Sequence, residues 1–128
     1  MFTRDCPCGS ASTYDSCCGP LHRGTALATT PEQLMRSRFA AYAVGETDYV
    51  FRTWHPRTRP DDLAPEPGLT WTRLEVLDAT GDEVEFVAHY DSPSGVGSLH
   101  ERSVFAQRGG RWVYVGVAPQ SGERSVRQ

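Results

Sequence analysis

Residues 6–19 read Cys6-Pro7-Cys8-Gly9-Ser10-Ala11-Ser12-Thr13-Tyr14-Asp15-Ser16-Cys17-Cys18-Gly19, and they contain all four cysteines of the 128-residue chain. The cysteines form two close pairs, a C-x-C and a C-C, with eight residues between them. Zinc in structural sites prefers about four thiolate or imidazole ligands in a tetrahedron, and the intervening residues suffice for a turn that brings the pairs together. We therefore predict a zinc knuckle over residues 1–22, with Cys6, Cys8, Cys17 and Cys18 as ligands.

Two other states of the cysteines are open, namely two disulfides or four free thiols. Adjacent cysteines form a mutual disulfide only with strain, and a reducing compartment disfavours oxidation, so zinc is preferred. Four cysteines close the coordination shell, which predicts a structural rather than a catalytic metal. His22 is a weaker alternative ligand and is more simply a surface histidine. Gly9 and Gly19 can adopt positive φ beside the ligands.

The composition indicates a globular protein, and its charge does not favour binding to nucleic acids. The formal net charge is −3, and bound zinc with four thiolates would make it more negative, so nucleic-acid binding is not expected. All basic residues are arginine, which we interpret as codon usage in a GC-rich genome. The start of the chain lacks the apolar core of a signal peptide, and no run could span a membrane. We expect a cytoplasmic protein.

Helix signals follow a connector at residues 23–29. Thr30 is a predicted N-cap, Pro31 occupies the first helical position, and Gln33 completes a capping box. Gly45 is the predicted stop. A second helix is predicted from Thr47 to Trp54, because the proline at position 56 disfavours helical geometry at the residue before it. Residues 56–68 are predicted to be a loop.

The pattern then changes to the two-residue period of strands. Gly109-Gly110 is a strong hairpin turn, which would place Arg108 opposite Arg111, Phe105 opposite Tyr114 and Val104 opposite Val115. Neither face of this hairpin is clearly solvent-like. The predicted strands are 71–79, 84–91, 99–107 and 111–118, followed by a flexible tail at 119–128. Helices followed by a run of strands predict an α+β domain.

The cysteine stretch with Tyr14 resembles the SEC-C zinc motif, and the whole chain resembles the YchJ-like family of bacterial proteins. The family likeness is carried by residues 34–39, 53–56, 84–88, 100–105 and 110–112. The resemblance implies a SEC-C-like knuckle over 1–22 and a nuclear-transport-factor-2-like (NTF2-like) domain over 30–118. That fold is a cone in which helices pack on a curved antiparallel sheet, with a pocket between.

The loop between the cysteine pairs differs from the SecA type of SEC-C motif. SecA-type motifs carry lysines there, whereas this chain has Ala11, Ser12 and Thr13. An acidic partner such as the SecB chaperone or ribosomal RNA is therefore not implied. A protein partner that binds the knuckle is still expected.

Eight residues on the predicted helices and strands are candidates for the pocket: Arg36, Arg38, Tyr42, Trp54, His55, His89, His100 and Glu101. One of the arginines could bind an anion in the pocket, or both could reach solvent or pair with acids. Trp54 is more simply a core residue. Neighbouring residues of a strand face opposite sides, so only one of His100 and Glu101 can line the pocket. No nucleophile or oxyanion element accompanies these residues, so no catalytic residue is assigned.

Three functions are compatible with this sequence. The preferred one is a binding or adaptor module with a structural zinc site and a pocket-forming domain. The alternative is a small-molecule enzyme with isomerase- or cyclase-like acid/base chemistry in the pocket. A homodimer formed through the sheet is the third.

Overall fold

The computed structural model describes residues 4–63 and 68–118. Within these residues, a 3-10 turn (Tyr14–Ser16) is followed by three helices and four strands. The helices are α1 (Cys18–Arg23), α2 (Pro31–Val44) and α3 (Thr47–Arg52), and the strands are β1 (Thr70–Thr80), β2 (Glu83–Ser92), β3 (Gly95–Arg108) and β4 (Arg111–Val117). The strands form one antiparallel sheet in the order β1-β2-β3-β4. The predicted α+β class is confirmed, and the predicted tail lies outside the described residues.

Helix α2 begins and ends where its capping residues predict. The Thr30 hydroxyl accepts a hydrogen bond from the Gln33 amide (3.1 Å), and Gly45 ends the helix at φ 85°, in the left-handed region that glycine tolerates. The reciprocal bond of the capping box is displaced by one residue, because the Gln33 side chain accepts from the amide of Thr29 (2.8 Å). Both ends of α2 are thus set by local sequence.

Helix α3 is shorter than predicted because the residues after it form backbone hydrogen bonds with strand β4. The Tyr114 amide donates to the Thr53 carbonyl, and the His55 amide donates to the Tyr114 carbonyl, both at 2.8 Å. Trp54 therefore lies in an isolated parallel bridge opposite Tyr114 rather than in a helix. The prediction that the helix reaches Trp54 is wrong, and a hydrogen-bonded link to β4 replaces its last turn.

The hairpin of β3 and β4 has the predicted register near its turn only. Arg108 pairs with Arg111 and Phe105 pairs with Tyr114, as expected. A register shift then occurs between Val104 and Phe105, so Val104 lies opposite Gly116 instead of Val115. A shift of this kind is a β-bulge, which leaves one residue of a strand unpaired.

The two faces of the sheet differ in character. On one face, buried residues pack against Leu34, Met35 and Phe39 of α2; these sheet residues are Leu74, Val84, Phe86, Ala88 and Phe105. The opposite face of β1–β3, called here the outer face, carries ion pairs around Arg102 and two histidine–glutamate pairs. The helices of the described residues therefore cover one side of the sheet and leave the outer face open. No helix in residues 4–63 and 68–118 is long and apolar enough to cross a membrane.

Candidate metal centre and cavity

A short hairpin brings the two cysteine pairs together. The Cys6 amide donates to the Ser12 carbonyl and the Tyr14 amide donates to the Arg4 carbonyl, both at 2.8 Å. The 3-10 turn then reverses the chain, so that α1 starts at the second cysteine pair. Gly9 adopts φ 84°, in the positive range that glycine tolerates.

The four sulfur atoms form a compact cluster with the dimensions of a tetrahedral metal site. All four Sγ atoms lie within 4.8 Å of one another. Two of the separations are 3.6 Å (Cys8 to Cys17) and 3.9 Å (Cys17 to Cys18). A zinc–sulfur bond of ~2.3 Å sets the edge of a regular tetrahedron at about 3.8 Å. All four cysteines are free thiols, so this cluster can hold a metal ion.

Burial and hydrogen bonds shift the pKa values of Cys6, Cys8 and Cys18 in different directions. A hydrogen bond from the Cys18 thiol lowers the pKa of Cys8 to about 4. Burial raises the pKa of Cys6 to about 11, and the Cys18 pKa is raised because its thiol donates to Cys8. The protein alone therefore favours the thiolate of Cys8, and a bound divalent cation would be needed to keep Cys6 and Cys18 deprotonated.

His22 and two arginines attach the knuckle to the helices behind it. His22 is only 5% exposed, with Nδ1 2.6 Å from the Tyr14 hydroxyl and Nε2 2.9 Å from the Ser37 carbonyl. Arg36 Nη1 donates to the Cys8 carbonyl (2.7 Å), and Arg52 Nη2 donates to the His22 carbonyl (2.7 Å). The expectation of a surface histidine is wrong, and His22 connects the knuckle to α2.

A cavity of about 230 Å³ lies between α2 and the sheet. We call it the α2–sheet cavity. Its lining residues are Met35, Arg38, Phe39, Tyr42, Trp54, Trp71, Phe86, Ala88, Leu99, Glu101, Ser103 and Tyr114. Four of the eight predicted pocket residues are among them, namely Arg38, Tyr42, Trp54 and Glu101. The structure thus has a cavity between α2 and the sheet, in the place where the family resemblance implies a pocket.

The other four candidates lie elsewhere. Arg36 is at the knuckle, and His55 Nδ1 accepts from the Arg57 amide in the turn after α3 (3.1 Å). His89 and His100 project from the outer face, where they contact Glu75 (2.9 Å) and Glu85 (2.7 Å). These histidine–glutamate pairs therefore do not share the α2–sheet cavity with Glu101.

Arg38 is the most unusual residue of the cavity. It is 4% exposed, and Nη1 donates to the Val50 carbonyl (3.0 Å) and to the Thr53 hydroxyl (2.8 Å). Its guanidinium carbon lies 5.0 Å from the Trp54 ring centroid and 4.6 Å from that of Tyr114. Burial lowers the pKa of Arg38. Burial also raises the pKa of Glu101, which lies on β3 opposite Phe86 of β2.

The predicted pocket residues left out four aromatic residues of the cavity, namely Phe39, Trp71, Phe86 and Tyr114. The hairpin register already placed Tyr114 beside Phe105 on one face, so its position could have been found. Trp71 contacts Phe39, Tyr42 and Tyr90, and nothing in the sequence indicates that contact.

Comparison with known proteins identifies relatives over nearly the whole chain. A UPF0225 protein from Deinococcus radiodurans is 51% identical over 116 residues, which cover 90% of this chain and 89% of the relative. A UPF0225 protein from Streptomyces coelicolor is 50% identical over 121 residues, covering 89% and 94%.

Solved structures match the fold as well. The solution structure of a SEC-C motif containing protein from Rhodopseudomonas palustris has a TM-score of 0.78 and 38% identity, and the match covers 92% of this chain and 100% of that one. The crystal structure of a SEC-C motif containing protein from Psychrobacter arcticus has a TM-score of 0.66 at 24% identity, covering 96% and 85%, which supports the fold alone.

The family model for the middle, NTF2-like domain of YchJ matches residues 30–117. The cysteine cluster lies N-terminal to this domain. The chain therefore belongs to the YchJ-like, or UPF0225, family.

Proposed function

We propose that this protein is a binding module whose SEC-C cluster holds one structural zinc ion and whose NTF2-like domain holds a ligand. The observation that carries the zinc proposal is the spacing of the four sulfur atoms, which matches a tetrathiolate tetrahedron. Zinc bound there neutralises thiolate charge and leaves no coordination position for a substrate. Its contribution is therefore to stability.

The contacts of the knuckle support a structural role for the metal. Cys6, Cys8 and Cys18 are buried together with Ala40 of α2, and Arg36 binds the carbonyl of a ligand residue. Ser10 Oγ lies 3.1 Å from Cys17 Sγ, the half-buried sulfur, and can donate a hydrogen bond to a thiolate there. The chain thus provides four ligands and an outer hydrogen-bonding shell.

Metal analysis of the purified protein tests this proposal. We expect about one zinc per chain, as one tetrahedral site requires, and its loss in the Cys17→Ser variant. Ser12→Ala is a matched control, because Ser12 lies in the same loop and its exposed side chain does not contact a sulfur. Equal zinc contents in the wild type and Cys17→Ser would contradict the proposal.

The adaptor role requires a partner that contacts the knuckle. Residues 9–12 form an exposed loop without charged side chains next to the cluster. An uncharged loop supports binding to a protein surface without a strong negative charge. Ser12→Arg adds bulk and charge to this loop without touching a ligand. A partner captured by the full chain should be lost with Ser12→Arg while the zinc content is unchanged. Retention of the partner would count against docking through the knuckle.

Acid/base catalysis is a second candidate, favoured by one observation. Glu101 lines the α2–sheet cavity and its pKa is raised by burial, which is the direction expected of a carboxyl group that acts as a general acid or base. Such a group should accelerate exchange of the α-protons of a small aromatic ketone in D2O, followed by NMR. An exchange rate equal to that of Glu101→Gln would exclude this candidate.

A cytoplasmic location and a homodimer formed through the sheet are two further parts of the proposal. Free thiols at all four cysteines support a reducing compartment such as the cytoplasm. A homodimer through the sheet would have to bury the ion pairs of the outer face, where Arg102 contacts Asp78, Glu83 and Glu85. Sedimentation analysis tests it, and a monomer at micromolar concentration would contradict the dimer.

A further inference from the structure

Arg38 carries a buried charge that no carboxylate in the described part of the chain neutralises. Ion pairs engage Arg23, Arg36, Arg52, Arg73 and Arg102, but none of the described carboxylates pairs with Arg38. Buried charges are normally paired. Among the arginines of residues 4–63 and 68–118, Arg38 is the one that is almost fully buried, and it lines the α2–sheet cavity without an anion from the described carboxylates.

The contacts of Arg38 fix its orientation and leave donors free. The rings of Trp54 and Tyr114 lie against the guanidinium, which favours a cation there but does not cancel its charge. Both hydrogen bonds to described residues start from Nη1. A guanidinium has about five N–H donors, so those of Nε and Nη2 have no acceptor among the described residues.

Trp54 adds a second unsatisfied donor to the same wall. Its indole Nε1 is buried and has no hydrogen-bond partner in the part of the chain that the structure describes. A buried donor without an acceptor is uncommon in folded proteins and indicates a missing partner. Arg38 and Trp54 contact each other and line one cavity. Nε1 is closed to solvent in the free protein, so a small shift of the indole on binding would let a single acceptor group serve both.

We propose that the α2–sheet cavity binds a small monocarboxylate with a flat apolar body, whose carboxylate accepts hydrogen bonds from Arg38 and Trp54. A planar carboxylate matches the guanidinium fork. Phe39, Trp71 and Phe86 line the cavity and supply apolar contacts for the body of the ligand. The inference rests on the proposed role of the NTF2-like domain as a ligand-binding domain and does not depend on zinc.

Size and charge favour a monocarboxylate over a phosphate ester. The volume of about 230 Å³ is below the ~300–1,000 Å³ of drug-sized ligand pockets. Glu101 also lines the cavity, and its carboxylate, when ionised, would oppose a second negative charge on the ligand. One cation therefore matches a ligand with one negative charge.

Calorimetric titration of the zinc-loaded full chain tests the inference. The probes are benzoate and 3-phenylpropionate, each compared with its neutral amide. We expect each acid to bind at least about tenfold more tightly than its amide, and Arg38→Met to abolish this preference. Arg108→Met is the control, because it removes an exposed arginine at the β3–β4 turn and should leave the preference unchanged.

Trp54→Phe provides a second test that does not depend on the folding of an Arg38 variant. It keeps a ring beside the guanidinium and removes the unsatisfied donor. We therefore expect the free protein to melt at the same or a higher temperature and the acids to bind several-fold more weakly. Stronger or unchanged binding of the acids would overturn the role of Nε1.

The outcomes separate the two proposals. Equal binding of acids and amides would overturn the carboxylate inference and leave the binding function standing. Absence of binding by both acids at millimolar concentration would overturn the inference and count against a ligand in this cavity, while the zinc proposal would be unaffected. An acid preference that survives Arg38→Met would also overturn it.

Discussion

His22 lies where the knuckle meets α2, and its neighbours determine which ring nitrogen carries the proton. The Ser37 carbonyl can only accept, so Nε2–H donates to it, and Nδ1 accepts from the Tyr14 hydroxyl. Burial lowers the pKa of His22, which keeps the ring neutral in the folded state. A neutral, doubly hydrogen-bonded histidine is a structural group and not a metal ligand.

Replacement of His22 by glutamine should destabilise the protein by about 1–3 kcal/mol at pH 7.5, because a buried hydrogen bond is lost. Since the folded pKa lies below the unfolded value of about 6.5, the unfolded state binds the proton first, and stability falls as the pH drops through that value. The advantage of the wild type over His22→Gln should therefore shrink from pH 7.5 to 6. Urea unfolding with excess zinc measures both.

Tyr14→Phe is the control for this pH effect. It removes the hydrogen bond to Nδ1 but leaves the buried imidazole in place, so its stability should retain the dependence on pH. If the difference between the wild type and His22→Gln is constant over this range, His22 does not titrate on unfolding as its burial implies.

Gly19 is needed for close packing rather than for an unusual backbone angle. It lies in α1 without a positive φ, so the freedom of glycine to adopt one is not used at this position. A β-carbon at this position would lie 2.9 Å from the Tyr14 carbonyl oxygen, which is too close for contact. The need for glycine at this position comes from a contact across the 3-10 turn, and the spacing of residues in the sequence does not reveal that contact.

Gly19→Ala should destabilise the protein by about 1–3 kcal/mol, the usual cost of overpacking, and accelerate zinc loss to a chelator. Gly116→Ala is the matched control, because a β-carbon there would meet no atom within 4 Å. Chelator competition and thermal melting measure the two effects. Equal rates of zinc loss in both variants would contradict the packing role of Gly19.

Local sequence predicts those elements whose ends depend on neighbouring residues. The caps of α2 and the two-glycine turn between β3 and β4 are such cases. The end of α3 and the bulge at Val104 are not, because each depends on hydrogen bonds to distant strand residues. The same limit applies to the outer face, since the sequence cannot show which side of the sheet α2 covers.

The capping of α2 can be tested with neighbouring threonines. Thr30→Ala removes the acceptor of the Gln33 amide and should cost about 1 kcal/mol. Thr29→Ala should cost less, because the Thr29 backbone amide still donates to the Gln33 side chain. Denaturant unfolding compares the two variants. A larger loss for Thr29→Ala would show that the side-chain bond of Thr29, and not the N-cap, stabilises the helix start.

At the scale of the whole molecule, the sequence predicts the order of knuckle, helices and sheet but not how closely the knuckle is attached. The cysteine motif looks like a separate unit because all its ligands are local in sequence. In the structure, its cysteines pack on Ala40, and side chains from α2 and α3 bind its backbone. Metal binding and domain stability should therefore be linked.

The three tryptophans make this linkage measurable, because Trp54, Trp71 and Trp112 all lie outside the knuckle. Their fluorescence reports unfolding of the NTF2-like domain alone. Removal of zinc should lower the fluorescence-detected melting temperature by at least about 5 °C, which corresponds to about 1 kcal/mol for a domain of this size. A knuckle that acted as an independent finger would leave this transition unchanged.

The double variant Arg36→Met, Arg52→Met tests whether the backbone contacts carry the linkage. It removes the hydrogen bonds to the carbonyls of Cys8 and His22 while all four ligands remain. We expect it to bind zinc but to show a smaller shift on chelation than the wild type. Arg108→Met, which alters an exposed turn, should show the full shift. An undiminished shift in the double variant would assign the linkage to the packing of Ala40 against the cysteines instead.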